Sequence, residues 1–195
     1  MTKIIGLTGG IGSGKTTIAN YLASLAVPVY IADDAGKKVM QQLEIIEAIQ
    51  EKFGTNIVVE HQLNRAKLAE IVFNNPDQLK TLNAIIHPAV KEDFKNWLKQ
   101  HQDSPFVVYE SAILFESGSY TDFDSIITVT APVETRISRV LKRDDSNREQ
   151  VMKRIHAQWT DEQRIAKSDL VVENVDINLA KVKIEEFLKI LSINQ

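Results

Sequence analysis

Cysteine is absent from the 195 residues, which excludes a disulfide framework, a thiolate metal site and a cysteine nucleophile, and points to a cytoplasmic protein. No apolar run approaches the roughly 18 residues that would suggest a membrane span. The opening Met1-Thr2-Lys3-Ile4-Ile5 is a short apolar strand signal that meets glycine at once, too early for the core of a signal peptide. Positive charge is not in excess either. With 23 Lys and Arg against 26 Asp and Glu, the net charge is -3. That balance disfavours duplex nucleic acid as the main partner, because such binding neutralises many phosphates. Small anions stay possible if basic residues gather locally. The 44% hydrophobic and 25% charged composition fits a globular chain with a buried core and excludes a disordered chain or a fibre.

Glycine is also scarce, 8 in all, yet Gly6, Gly9, Gly10, Gly12 and Gly14 fall within nine residues. Such a cluster calls for a backbone that takes positive φ or lets its N–H groups approach a ligand. Basic residues are just as uneven: Arg136 to Lys167 holds nine Lys or Arg against five Asp or Glu, a local +4 that leaves -7 for the rest. No internal repeat, low-complexity tract or Pro/Gly/Ser-rich linker appears, so any second lobe is an insertion on short connections.

Lys3 to Thr8 reads as a buried strand, followed by the glycines and a helix from about Thr16 with Ile18, Leu22 and Leu25 on one face. Val27 to Ile31 is a second apolar run, in which Pro28 is tolerable at the strand's beginning. From Asp34 to about Gln102 the period is helical: Leu43, Ile46, Ile49 and Phe53, then Arg65 to Phe73, then a long helix opening at Asn75-Pro76 and bent at Pro88. That stretch far exceeds an ordinary crossover and marks an inserted lobe. Strands resume at Phe106 to Tyr109 and Ile126 to Thr130, Pro132 opens a helix carrying Arg136 and Arg139, and Asp169 to Val172 is a last strand. Capping boxes are expected at Ser146–Glu149 and Thr160–Gln163, with Asn178 capping a C-terminal helix. Strands alternating with helices predict an α/β fold around a mainly parallel sheet.

Gly9-Gly10-Ile11-Gly12-Ser13-Gly14-Lys15-Thr16 satisfies G-x-x-x-x-G-K-[ST] in full, between a predicted strand and a predicted helix. In that setting successive backbone N–H groups line an anion nest, the helix N-terminus adds positive potential, Lys15 reaches the β- and γ-phosphates, and Thr16 ligates Mg2+. A nucleoside triphosphate is implied. A merely flexible glycine turn would account for neither Lys15 nor Thr16. An N-K-x-D guanine signature is missing, and the chain is short for a motor. A phosphotransferase needs an acceptor pocket and a cover against water, roles that the helical insertion and the basic segment suit.

Asp33, just past the second strand, is a candidate base for an acceptor hydroxyl. Asp33 or Asp34 could equally cap the following helix, and Asp34 fits that role better. Arg139, Arg143 and Arg148 are candidates to clamp phosphate, or to form a solvated helix face. Glu110 is either a support for the Mg2+ water shell or an ordinary strand-terminal carboxylate. The four histidines show no metal-ligand spacing, and no protein-bound zinc is expected.

Gly6 to Thr16, Leu82-Asn83-Ala84-Ile85-Ile86-His87-Pro88, Leu114-Phe115-Glu116 and Arg143-Asp144-Asp145 together resemble the dephospho-CoA kinase family, over almost the whole chain. The resemblance implies ATP-dependent phosphorylation of the ribose 3′-hydroxyl of dephospho-CoA. It also implies a P-loop nucleotide kinase fold with a parallel five-stranded sheet, an inserted helical lobe and a lid. The expected division is a nucleotide core of residues 1–33 and 103–195, containing a lid at about 142–158, and an acceptor lobe of residues 34–102. Lys15, Asp33 and Arg139 are then the catalytic candidates. Gly10, Ile11, Gly12, Ser13, Gly14, Lys15, Thr16, Thr17 and Arg143 would hold ATP, with Thr16 on Mg2+. Thr8, Asp33, Asn83, His87 and Glu116 would meet the acceptor, though His87 before Pro88 also suits a packed role. The expected partner is the small-molecule substrate, without nucleic acid or membrane, and the protein is expected to be a monomer or a weak homo-oligomer. Two departures from the family pattern stand out: Ile31 replaces the first aspartate of its D-A-D segment, and Ala112 the proline before Leu114-Phe115-Glu116. A kinase for another small metabolite or a nucleoside monophosphate, and a non-enzymatic nucleotide switch, are the rival readings.

Overall fold

The computed structural model describes residues 2–59, 62–73 and 75–193. They form two compact units, one of residues 1–30 with 101–195 and one of residues 31–100. The first contains β1 (Lys3–Thr8), α1 (Lys15–Ser24), β5 (Phe106–Glu110), β6 (Ser125–Thr130), α6 (Val133–Arg143), α7 (Arg148–His156), α8 (Asp161–Ile165), β7 (Leu170–Glu173) and α9 (Ile177–Ile193). β2 (Val29–Ile31) crosses the boundary, and the five strands make one sheet in the order β2-β5-β1-β6-β7. β1 runs parallel to β5 and β6, and β6 runs parallel to β7. The fold is thus α/β with a parallel five-stranded sheet.

The two-residue period of a strand decides which core each side chain enters. Ile5, Leu7, Ile127, Val129 and Val172 join Ile18 and Leu22 of α1 and Ala180, Ile184 and Leu188 of α9 in one buried cluster. Ile126, one residue out of phase, packs instead with Leu114 and Phe115, against which Trp159 and Tyr109 lie. Leu25 caps α1 and is exposed, as are Leu179 and Val182, because α9 turns its Ala180–Ile184–Leu188 stripe inward.

The second unit holds α2 (Ala32–Val39), α3 (Leu43–Phe53), α4 (Arg65–Phe73) and α5 (Pro76–Lys99). Asn75 caps α5, accepting from the N–H groups of Asp77 and Gln78, and Pro88 sits inside that helix. An antiparallel pair, β3 (Val58–Val59) with β4 (Gln62–Leu63), interrupts the helices, against the all-helical expectation. Two-residue strands are too short to show a period in sequence.

Three expected caps shift. The box at α7 is Asn147 with Gln150 rather than Ser146 with Glu149, whereas Thr160 with Gln163 stands. Asp176, not Asn178, accepts from the first amides of α9. α2 already begins at Ala32 with Ile31 at its cap position, so neither Asp33 nor Asp34 is the cap. Both lie in its first turn, where carboxylates favour the helix dipole. Among the described residues no helix is long and apolar enough to cross a membrane.

Candidate active site

β1 delivers the chain into the glycine loop, and α1 leaves it. Gly14 takes the N-cap position of α1 at φ 93°, in the left-handed region that glycine tolerates, with no side chain capping the helix and no acidic residue in its first turn. The helix N-terminus therefore keeps its positive potential. Ser13 N–H donates to the Gly10 carbonyl at 3.0 Å, closing the loop on itself, while the amides of Gly12, Gly14 and Thr16 donate to no other described residue. Ser13 Oγ and Thr8 Oγ1 are buried without a hydrogen-bond partner among the described residues. Thr16 and Thr17 are exposed on the first turn. Unpaired amides, an orphaned hydroxyl, Lys15 and the Thr16 hydroxyl are the donor set that a triphosphate carrying Mg2+ requires. No group of three His, Asp or Glu forms a cation cage among the described residues. Mg2+ in such sites needs none, since phosphates and water supply most of its ligands.

Arg139 supports the loop from α6. Its guanidinium donates to the carbonyls of Ser13 at 3.2 Å and Asn174 at 2.7 Å. Asn174, buried just past β7, donates through Nδ2 to the same Ser13 carbonyl at 2.9 Å. A Cβ at Gly14 would fall on this Asn174 amide, so the glycine is required by packing as well as by φ. Asn174 has no sequence signal of its own, being one polar residue after an apolar strand. Glu110, 6% exposed, ends β5 in register with Leu7, one residue before the end of β1.

The basic segment proves neither a free clamp nor a uniformly solvated face. Arg143 pairs with Asp144 through two bonds, at 2.7 and 3.2 Å, and Arg154 reaches the same carboxylate at 2.9 Å. These two guanidiniums, Arg143 foremost, hold the Asp144 carboxyl down to about 2. Arg148 is bidentate on Glu134. Arg136 and Arg164 are only 4% and 0% exposed. Asp161 bridges them, accepting from Arg136 at 3.1 Å and from Arg164 at 3.3 Å. Burial pushes Arg136 down from its ordinary value and Arg164 acts the same way, while Asp161 pushes it back up; a guanidinium stays charged throughout.

Glu116 belongs to this network. Its Oε1 accepts from the Trp159 N–H at 2.9 Å and from Arg164 at 3.1 Å, and its Oε2 is buried without a hydrogen-bond partner among the described residues. Removing one member of a buried pair strands the others at a cost of about 3–5 kcal/mol. Arg164→Ala should therefore lower the melting temperature by roughly 10 °C, read by calorimetry. A shift within error would show that the network carries no stability.

In the second unit, Asp33 is exposed on the first turn of α2. Its neighbour Asp34 is paired with Lys37 at 2.8 Å. Lys38 of α2 is tied to Asp93 of α5 at 3.1 Å. Asn83 and His87 are one helical turn apart on α5, both half-buried, and burial lowers the His87 pKa. The ring is therefore neutral near pH 7 and offers one donor and one acceptor. The second unit begins at residue 31, so Asp33 belongs to it and not to the sheet-bearing unit.

The dephospho-CoA kinase family model matches residues 3–179. A dephospho-CoA kinase of Fusobacterium nucleatum is 40% identical over 187 residues, which cover 94% of this chain and 96% of that protein. One from Bacteroides fragilis is 38% identical over 171 residues, 87% of this chain and 83% of the relative. A crystal structure from Thermus thermophilus matches with a TM-score of 0.88 at 33% identity over 96% of each chain. The dephospho-CoA kinase of Campylobacter jejuni matches in fold, with a TM-score of 0.72 at 23% identity over the whole of both chains. By its loop, its sheet and its match over residues 3–179, the chain belongs to the dephospho-CoA kinase family.

Proposed function

We propose that the protein transfers the γ-phosphoryl group of ATP to the ribose 3′-hydroxyl of dephospho-CoA, giving coenzyme A and ADP in the last step of coenzyme A synthesis. The observation that carries this reading is the uncapped, acid-free N-terminus of α1 behind Gly14, with Lys15 and Thr16 in its first turn, in a chain of this family.

The backbone from Gly10 to Thr17 receives the phosphates, and Lys15 places its charge on the β- and γ-oxygens, where negative charge shifts during transfer. Arg139, fixed on the loop carbonyls, and Arg143, which exchanges Asp144 for nucleotide phosphate, add to that field. Thr16 is the residue that would hold Mg2+ together with the phosphates, and the ion would supply neutralisation of their charge. Asp33 orients the 3′-hydroxyl and takes its proton as the new P–O bond forms and the bond from the γ-phosphorus to the bridging oxygen breaks, the electron pair leaving with ADP. Asn83, His87, Thr8 and Glu116 contact the acceptor. Residues 34–102 form the acceptor lobe, and residues from about 142 to 158 close as a lid that stays anchored to Ile11 through Gln158. The protein works in the cytoplasm as a monomer or weak homo-oligomer.

Acceptor analogues test the position of transfer. With 3′-deoxy-dephospho-CoA, ADP release should fall to slow hydrolysis, whereas the 2′-deoxy analogue should still be phosphorylated. Phosphorylation of the 3′-deoxy analogue would refute the 3′ assignment.

A further inference from the structure

Ile11 is held on three sides by the segment that follows the loop far along the chain. Its N–H donates to Gln158 Oε1 at 2.8 Å, and Gln158 stands between α7 and α8. Its carbonyl accepts from Arg136 Nε at 2.9 Å. Its side chain packs against the buried cluster of Ile137 and Val140 on α6 and Val151 on α7. The two neighbouring glycines fit the same partner: a Cβ at Gly10 would fall on the Arg136 guanidinium, and one at Gly12, where φ is 77°, on the Arg136 backbone. Arg136 cannot swing aside cheaply. It is buried and tied to Asp161, which is tied to Arg164, which is tied to Glu116, and Glu116 returns to the chain at Trp159, beside Gln158.

We infer that Gln158 and Arg136 are positioning residues for the phosphate loop, clamping both peptide groups of Ile11 so that α6 and the α7–α8 connection set the loop's geometry. Neither residue takes a bond to the reacting atoms in this account. They act by holding the loop in its anion-binding shape before ATP arrives, so that little binding energy is spent on ordering it. On this view glycine at 10 and 12 serves the approach of Arg136 at least as much as that of phosphate. The functional part of the inference rests on ATP occupying the loop, whereas the clamp itself does not.

Gln158→Ala removes the acceptor for the Ile11 amide and leaves the buried ion pairs whole. Amide exchange at Ile11, followed by NMR without nucleotide, should accelerate about tenfold, the factor one neutral hydrogen bond confers. Exchange at Ile137 and Val140 should not change. The KM for ATP should rise by a similar factor of about ten, with the KM for dephospho-CoA and the melting temperature unmoved. Gln158→Glu retains an oxygen at the same reach, so Ile11 should stay protected in that variant. Unaltered Ile11 exchange in Gln158→Ala, or faster exchange with no change in the KM for ATP, would overturn the inference. The exchange arm uses no nucleotide, so a failed clamp is distinguishable from a failed assignment of ATP to the loop, which would appear as wild-type turnover in Lys15→Ala.

Discussion

Lys15→Ala should lower turnover by about a thousandfold or more, the scale seen when a preorganised charge is removed from a transition state, while the melting temperature barely moves. Lys15 opens α1 at an uncapped N-terminus and is not among the buried residues of the sheet core, so its value lies in charge rather than packing. ATP affinity should weaken less than turnover, because the loop amides of Gly12, Gly14 and Thr16 still meet phosphate oxygens and the helix dipole still favours them. Steady-state kinetics with a melting curve on the same sample decides the matter. Intact turnover would remove the P-loop from the mechanism.

Asp33→Asn should cost turnover about a hundredfold or more, within the range of a general base, with little change in the KM for ATP. The substitution is cleaner than the sequence suggests. Ile31 occupies the cap position of α2, so no capping bond is lost, and Asp33 is exposed, so no packing is lost. Some residual activity is compatible with the account, since a loose transfer removes the proton late and Asn still orients a hydroxyl. If Asp33 instead supports the Mg2+ shell, the leading symptom becomes a weakened Mg2+ dependence, partly restored at high Mg2+. Near-wild-type turnover with dephospho-CoA would place the acceptor-orienting group elsewhere.

Features whose causes are local in sequence were legible there. Lys3 to Thr8 carries Ile4, Ile5 and Leu7 and runs directly into Gly9 and Gly10, and Asn75-Pro76 carries both the cap and the first helical residue of α5. Ser146 and Asn147 are adjacent and both able to cap, so the one-residue shift to Asn147 and Gln150 lies below what composition resolves. Burial of the arginines was beyond reach for a different reason. Arg136 and Arg164 lie in a stretch whose charge reads as surface, and their partners Asp161, Glu116 and the Ile11 carbonyl come from three separate stretches of chain. Only the folded chain brings these groups together and makes a buried guanidinium tolerable. The loop motif was visible because it is contiguous. The residues that brace it, Asn174, Arg139 and Gln158, were not visible as braces, because each acts through a carbonyl or an amide that any residue could provide.

The most direct test is product formation from ATP with dephospho-CoA, adenosine, AMP and shikimate offered in parallel as acceptors, each followed by ADP release and by identification of the phosphorylated product. Rapid conversion of dephospho-CoA to coenzyme A, with the other three left at the rate of background hydrolysis, is the result the account predicts. Comparable phosphorylation of AMP or shikimate, or ATP hydrolysis that no acceptor accelerates, would contradict it.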